Sequence, residues 1–492
     1  MPGSPPRTHE TNRGRLSTAR SIAATGGDSL IWAAGLCLAV ANGALLVRGY
    51  RIAPDDAMFY AFALRGWDAV MAETAKTAYE QGRMGSFIII PLNVAAAYLS
   101  DHLAFRWLCV ALNYAVFALF ALWAERVLAT RCAAVLFLIL AALNVTDYFH
   151  FSPVSFPLQN TVPFLAVLGA RLLAFRAATM PPAFRRCAAV LVGWALLLFG
   201  MIATEYGFLL ATAMLACEIV VRALRQRAET GLLRPAVVAR FFAPEIAACA
   251  LALALYVAWR VGHPSTYGGN QFAGPERLPQ GLLTAAAHVF VPVALPYANL
   301  LRPLPFPAPV WMVVAASAGL VGAVAAHAAQ GRLTVIPRPL AVAGMSMACA
   351  FYVVLPVAMT LKQQERCLQR FGCAFLDSQM AYLFMGVAIA AMAGWLLTRF
   401  RPTPRGGIAL TLSVAFGFAA ALTFFNNLRM TNDMRRIADV WDRAQTAVCA
   451  QELPLPLATY FDPGGAAAMH EQVDREAFWT LYRDHHRPLC IQ

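Results

Sequence analysis

The chain has 492 residues, of which 60% are hydrophobic and only 13% charged. Soluble domains carry roughly 45–50% apolar and about 25% charged residues, so a water-soluble globule is excluded. The formal charge of +13 rests almost wholly on arginine, Lys76 and Lys362 being the only lysines. These arginines recur in short clusters between apolar runs, as in the loops of a membrane protein, which argues against nucleic acid as a partner.

The N-terminal stretch 1–29 holds Arg7, Arg13, Arg15 and Arg20 and is read as a cytoplasmic segment, followed by a first span over 30–48. That run has the length of a crossing helix and no small-residue cleavage site after it, so it is not read as a signal peptide. The segment 49–105 then stands outside as a long first external loop. Its apolar part, Phe87 to Leu99, is short and interrupted by Pro91 and Asn93. It is expected to lie at the interface rather than cross.

Further spans are expected over 106–124, 132–147, 161–175, 187–203, 207–221, 242–260, 309–328, 340–359, 380–398 and 406–425. In this register the loops holding Arg126 and Arg131, Arg176 to Arg186, Arg222 to Arg240, Arg332 and Arg338, and Arg399 to Arg405 all share the cytoplasmic side. The stretch 281–301, broken by Pro292 and Pro296, is expected to be re-entrant. The fold class is therefore an all-α polytopic membrane protein of about eleven transmembrane helices, with a membrane domain over 30–425. An external tail, 426–492, follows. Met430, Met434, Ile437, Trp441 and Val448 recur there at helical spacing, as do Met469, Val473, Ala477 and Leu481, which predicts two short amphipathic helices.

Cys367 and Cys373 fall in one external loop, and Cys449 and Cys490 in the tail. On an oxidising face these are candidate disulfides; the competing reading is small buried hydrophobes. No P-loop, dinucleotide fingerprint, metal-type Cys/His spacing or tandem repeat is present, so neither cofactor nor metal is expected.

The densest polar signal follows the first span, Arg51-Ile-Ala-Pro-Asp55-Asp56, with Tyr79-Glu80-Gln81-Gly82-Arg83 later in the same loop. Two adjacent carboxylates after Pro54 suit a helix start, where they are stabilised and fixed in direction. The plainer reading is a solvated pair or a helix cap. Other polar groups sit near the same face: Asp147, Tyr148 and His150 after the third span; Glu205 and Tyr206 at the turn between the fifth and sixth; His263, Tyr267, Asn270 and Gln271 in a Gly-rich loop; and His288 and Asp377. Ionisable groups at membrane depth are functional candidates, although lone histidines are more often structural.

An acidic pair after the first span, a long first external loop with a Gly-Arg in it, and this number of spans resemble the GT-C fold glycosyltransferases. Their aminoarabinose, mannosyl and O-antigen-modifying glucosyl members are most alike. The resemblance implies a donor sugar on polyprenyl phosphate, an envelope glycan, lipid or protein acceptor, and an active site on the outer face of a bacterial inner membrane. It implies that Asp55 or Asp56, with preference for Asp55, deprotonates the acceptor hydroxyl for an inverting attack. A cation would then stabilise the phosphate leaving group, with Arg83 first and Arg277, Arg302 and Arg366 behind it. One departure is visible. Where some members carry a basic residue beside a tyrosine, this chain reads Leu376-Asp377-Ser378-Gln379-Met380-Ala381-Tyr382, so Lys362 or Arg366 would substitute. The competing function is a transporter or lipid flippase, for which polar groups near the midplane and repeated halves would be expected. A non-catalytic membrane subunit is a third class.

Overall fold

The structure is a computed structural model describing residues 10–49, 56–147, 152–181, 184–230, 235–267, 271–300, 308–368, 373, 375–400, 405–450 and 475–488. Asp55, Tyr148, His150, Asn270, Arg302 and Cys490, named above, lie outside the described residues, as do Met469 and Val473 of the second tail helix.

The regular elements among the described residues are all helices, with one isolated bridge between Phe272 and Thr360. After α1 (Glu10–Gly49), three short helices fill the first loop: α2 (Asp56–Arg65), α3 (Trp67–Glu80) and α4 (Ser86–Leu99). Then come α5 (Leu103–Leu128), α6 (Ala133–Ala142), α7 (Thr161–Thr179), α8 (Phe184–Ala203), α9 (Glu205–Thr230) and α10 (Pro235–Gly262). The bent pair α11 (Leu278–Val289) and α12 (Val291–Leu300) precedes α13 (Ala308–Leu333) and α14 (Pro339–Ala358). The chain closes with α15 (Leu361–Leu368), α16 (Ser378–Arg399), α17 (Arg405–Ala450) and α18 (Arg475–His486).

Ten of these helices, α1, α5, α7, α8, α9, α10, α13, α14, α16 and α17, are long and apolar enough to cross a bilayer. Their contacts sort the ends of the bundle. Arg332 pairs with Asp28 at 2.9 Å, and Gln330 donates to the Ala409 carbonyl at 2.7 Å, so α1, α13 and α17 share one end, which is rich in arginine. At the opposite end Arg106 reaches the Val47 carbonyl, Asn160 the Leu376 carbonyl and Arg260 the Gln81 carbonyl. The pair α11–α12, bent by 78°, starts and finishes at this opposite end, so it dips in and returns. Its bend lies between two proline-containing helices, as the sequence leads one to expect.

The expected third span is where structure and sequence part. α6 has ten residues, every one buried, and stops at Ala142. At about 15 Å it is too short to cross alone. The chain continues towards the opposite end in irregular backbone, which inside a membrane needs partners. Asparagines supply them. Asn427 Nδ2 donates to the Asn144 carbonyl (2.8 Å) and its Oδ1 accepts from Thr146 N–H (2.9 Å). Asn426 donates to the Thr146 carbonyl (3.2 Å), and Asn42 on α1 to the Ala141 carbonyl (3.3 Å). Half helix and half side-chain-supported backbone thus carry the chain from the end of α5 to the start of α7.

The tail also differs from expectation. The first predicted tail helix is no separate element, because α17 runs unbroken for 46 residues from the membrane crossing through Met430 and Trp441. No proline or glycine interrupts 418–450, so nothing in the sequence stops the helix at the membrane edge. The second is α18. It packs on α2, so that its Tyr482 and Trp441 of α17 both lie against Tyr60, with ring centroids 6.2 and 5.9 Å away.

Cys367 and Cys373 are disulfide-bonded, and Cys449 is also in a disulfide. Close helix contact elsewhere relies on glycine: a Cβ on Gly319 of α13 would lie 2.8 Å from the Gly417 carbonyl of α17.

Candidate functional site

The Gly82-Arg83 pair marks the end of α3. Gly82 sits at φ +61°, and the Arg83 N–H donates to the Ala78 carbonyl at 3.1 Å. That six-to-one bond with a left-handed glycine is a Schellman stop. It ends the helix and turns Arg83 away from it. The position also has no room for a side chain, because a Cβ would stand 2.3 Å from the His263 carbonyl.

Carbonyls at the end of α3 also accept from the end of α10 and the loop after it. Trp259 Nε1 donates to the Ala78 carbonyl (3.1 Å), Thr266 N–H to the Glu80 carbonyl (3.0 Å), and Arg260 to the Gln81 and Gly82 carbonyls. Tyr79 packs its ring on Trp259 and His263 at 5.5 and 4.9 Å. His263 therefore has a packing role here. The loop is clamped further along, where the Leu361 N–H donates to the Gln271 carbonyl and the Ala273 N–H to the Met359 carbonyl.

These clamps bring Tyr267 between two cations. The Arg83 guanidinium lies 5.6 Å from its ring centroid and Lys362 Nζ 5.1 Å from it. Lys362 also donates to the Tyr267 hydroxyl at 2.7 Å. Tyr206, at the start of α9, is within electrostatic range of Arg83, Glu205, Tyr267 and Asp377, and Arg260 is within range of Arg83 and Glu205. Three residues named from sequence, Arg83, Tyr267 and Lys362, thus meet from three separate chain segments, and the turn that carries Arg83 packs at Gly85 against the Ala203 carbonyl, just before Glu205 and Tyr206. Arg366, one turn on from Lys362, rests on the Phe375 ring at 5.5 Å. The cluster offers fixed cations and phenol hydroxyls at the mouth of the bundle. That combination binds anionic oxygens, arginine through its planar fork and lysine as a point charge.

Asp56 opens α2 and is only 3% exposed. Its carboxylate accepts from the Phe156 N–H at 3.2 and 3.3 Å. The helix N-terminus adds its own stabilisation of negative charge. Above it Tyr60 donates to Asp101 at 3.1 Å, so His486 Nε2, 2.9 Å away, donates to the Tyr60 oxygen. Burial, with Asp101 beside it, pushes the Tyr60 hydroxyl far above the usual phenol range, which keeps it a neutral donor. Asp147 is half-buried next to the asparagine-held Thr146, and Arg277 is half-buried in a turn before α11.

The stretch 376–382, which holds no basic residue, is turned inward. Asp377 bonds His288 at 2.9 Å, Gln379 donates to Asn113, and Tyr382 donates to the Leu140 carbonyl at 2.6 Å. It packs into the bundle and supplies no cation, while Lys362 stands at Tyr267 and Arg366 at Phe375. Sequence reading missed Arg260, whose signal is a charge in the last turn of a span, and the pairing of His288 with Asp377, whose partners lie 89 residues apart. It also missed an ion network deep in the bundle: Arg171 bonds Glu218, and Glu245 at 2.9 Å, while Trp123 donates to Glu218 at 2.7 Å. No protein-family model matches the chain, and no curated protein and no solved structure matches it.

Proposed function

We propose that the protein is a glycosyltransferase of the GT-C kind, transferring a sugar from a polyprenyl-phosphate donor to an envelope acceptor on the outer face of a bacterial inner membrane. The observation that carries this reading is the meeting of Arg83, Lys362 and Tyr267 at the end of the bundle whose first loop holds the buried Asp56. In this reading the N-terminus is cytoplasmic and the end of α17 external.

The donor phosphate rests against Arg83, Lys362 and the Tyr267 hydroxyl. The acceptor hydroxyl loses its proton to Asp56 or Asp55 as its oxygen bonds the anomeric carbon. The bond from that carbon to the phosphate oxygen breaks, configuration inverts, and polyprenyl phosphate leaves with the electron pair. Fixed cations then act on charge that grows only as the bond breaks, which is where electrostatic catalysis is strongest. An apolar groove of about 480 Å³ between α1 and α5, lined by Trp32, Leu36, Val40 and Trp107, is suited to a hydrocarbon chain.

The test is transfer from a polyprenyl-phosphate sugar by purified protein carrying Asp55→Asn or Asp56→Asn. Loss of the base is expected to slow transfer about 10²–10⁴-fold in one of the two. Lys362→Ala and Arg83→Ala are expected to raise donor KM and lower kcat together. Wild-type rates in both asparagine variants would remove the proposed base.

A transporter remains the second reading because of the Arg171–Glu218–Glu245 network, since ionisable groups at membrane depth commonly mark a permeation path. Flipping of a lipid-linked sugar in vesicles, abolished by Glu245→Gln and accompanied by no transfer, would favour it.

A further inference from the structure

We infer that His288, Cys367 and Cys373 form a site for a thiophilic divalent cation of the zinc class, closed while the two cysteines are disulfide-bonded and opened by reduction. The inference is independent of sugar transfer. The three ligand atoms, from α11, from α15 and from the segment after it, lie within 4.8 Å of one another. His288 is wholly buried, and Cys367 and Cys373 are 8% and 3% exposed.

The imidazole is already set as a ligand. Its Nδ1 is 2.9 Å from Asp377 Oδ2, a carboxylate that is itself wholly buried, and its Nε2 is 3.4 Å from Cys367 Sγ. A carboxylate on Nδ1 fixes the tautomer and turns the Nε2 lone pair outward, as it does behind metal-bound histidines. Here that lone pair faces two sulfurs. A disulfide has no hydrogen to donate, so Nε2 is left without a strong partner in a fully buried place, at a cost an apolar side chain would avoid. A disulfide needed only to fasten the loop does not call for an imidazole aimed at it.

Opening the site is a two-electron step. A dithiol reductant gives two electrons and two protons to the Cys367–Cys373 bond, leaving two thiols and an oxidised dithiol. The cation then displaces both thiol protons and binds two thiolates and Nε2, with water in the fourth position. Two thiolates cancel the ion's two positive charges, so the ion and its direct ligands are together neutral. Tetrahedral zinc with bonds of about 2.3 Å to sulfur needs the sulfurs about 3.8 Å apart. Side-chain rotation supplies this from Cα atoms 5.4 Å apart.

The experiment is titration of the full chain in detergent with Co²⁺, followed by thiolate-to-cobalt charge-transfer absorption. The protein is used as purified, and after phosphine reduction with the reductant removed. The expected result is no absorption from the oxidised chain and one cobalt per chain from the reduced one, displaced by Zn²⁺. Cys367→Ser, Cys373→Ser and His288→Gln should each abolish it, and Asp377→Asn should weaken binding about 10–100-fold. Cys349→Ala should leave it unchanged, which separates this site from the buried contact of Cys217 with Cys349, 3.4 Å between sulfurs. Absence of the absorption in reduced wild type, its survival in Cys367→Ser, or loss of the monodisperse folded protein on reduction would each overturn the inference.

Discussion

Gly82 does two jobs that no other residue can do at once. It takes the left-handed backbone that ends α3, and it lets the His263 carbonyl approach to where a Cβ would be. Either demand alone costs a substituted chain about 1–2 kcal/mol, and here they coincide. Gly82→Ala is therefore expected to lower the thermal midpoint of the detergent-solubilised protein. It should also weaken donor binding more than a surface alanine would, because the displaced turn carries Arg83. An unchanged midpoint would mean the turn yields easily and Arg83 is not held by it. The Gly-Arg pair was legible in sequence as a feature, but not as a helix stop. Its hydrogen-bonding partners, Trp259, Arg260 and Thr266, lie about 180 residues away along the chain, and no local pattern reveals a contact of that range.

At the scale of the element, long apolar runs were readable because bilayer thickness imposes a length, and arginine-marked ends were readable because charge avoids hydrocarbon. α6 escaped this logic. Its residues are as apolar as those of any span, so hydropathy continues where the helix has already ended. The cue was polar: Asn144 and Thr146 follow it, and Asn42, Asn426 and Asn427 stand in two other spans at positions where lipid would reject them. Each gains its place by supporting backbone that has no helix to support it. Asn427→Ala would strand the Thr146 N–H and one bond to the Asn144 carbonyl. At about 1–3 kcal/mol for a buried group left unmet, the variant should lose several degrees of thermal stability. Asn427→Asp keeps the acceptor but sets a buried carboxylate oxygen against the Asn144 carbonyl and Asn42 Oδ1, and should be less stable still. Equal stability of all three proteins would show that water or a neighbour replaces the amide.

For the whole molecule, the contacts put Asp28 of α1 and Trp441 of α17 at opposite ends of the bundle, with the polar cluster at the end of the latter. In a Cys187→Ser background, Gln271→Cys should react with a membrane-impermeant maleimide in intact cells, and Arg131→Cys only after lysis. The reverse pattern would turn the cluster toward the cytoplasm and end the proposal of an outer-face transferase. The same global view explains the missed ion network. Arg171, Glu218 and Glu245 come from three helices, and each reads alone as one charge in an apolar run. Removing only the cation strands two carboxylates, so Arg171→Leu is expected to cost about 3–5 kcal/mol, whereas replacing all three with apolar residues should restore most of it.

The length of α17 has a mechanical side. Forty-six helical residues make a rod of about 69 Å, more than twice the hydrocarbon thickness. Its lower half is wedged against α13, and its upper half carries Trp441 into the aromatic cluster around Tyr60, one turn beyond Asp56. A stiff rod pivoting within the bilayer moves both its extremities at once. A few degrees of tilt at the Gly319–Gly417 crossing would therefore swing the roof over the acidic residue by several ångströms, with no hinge required in between.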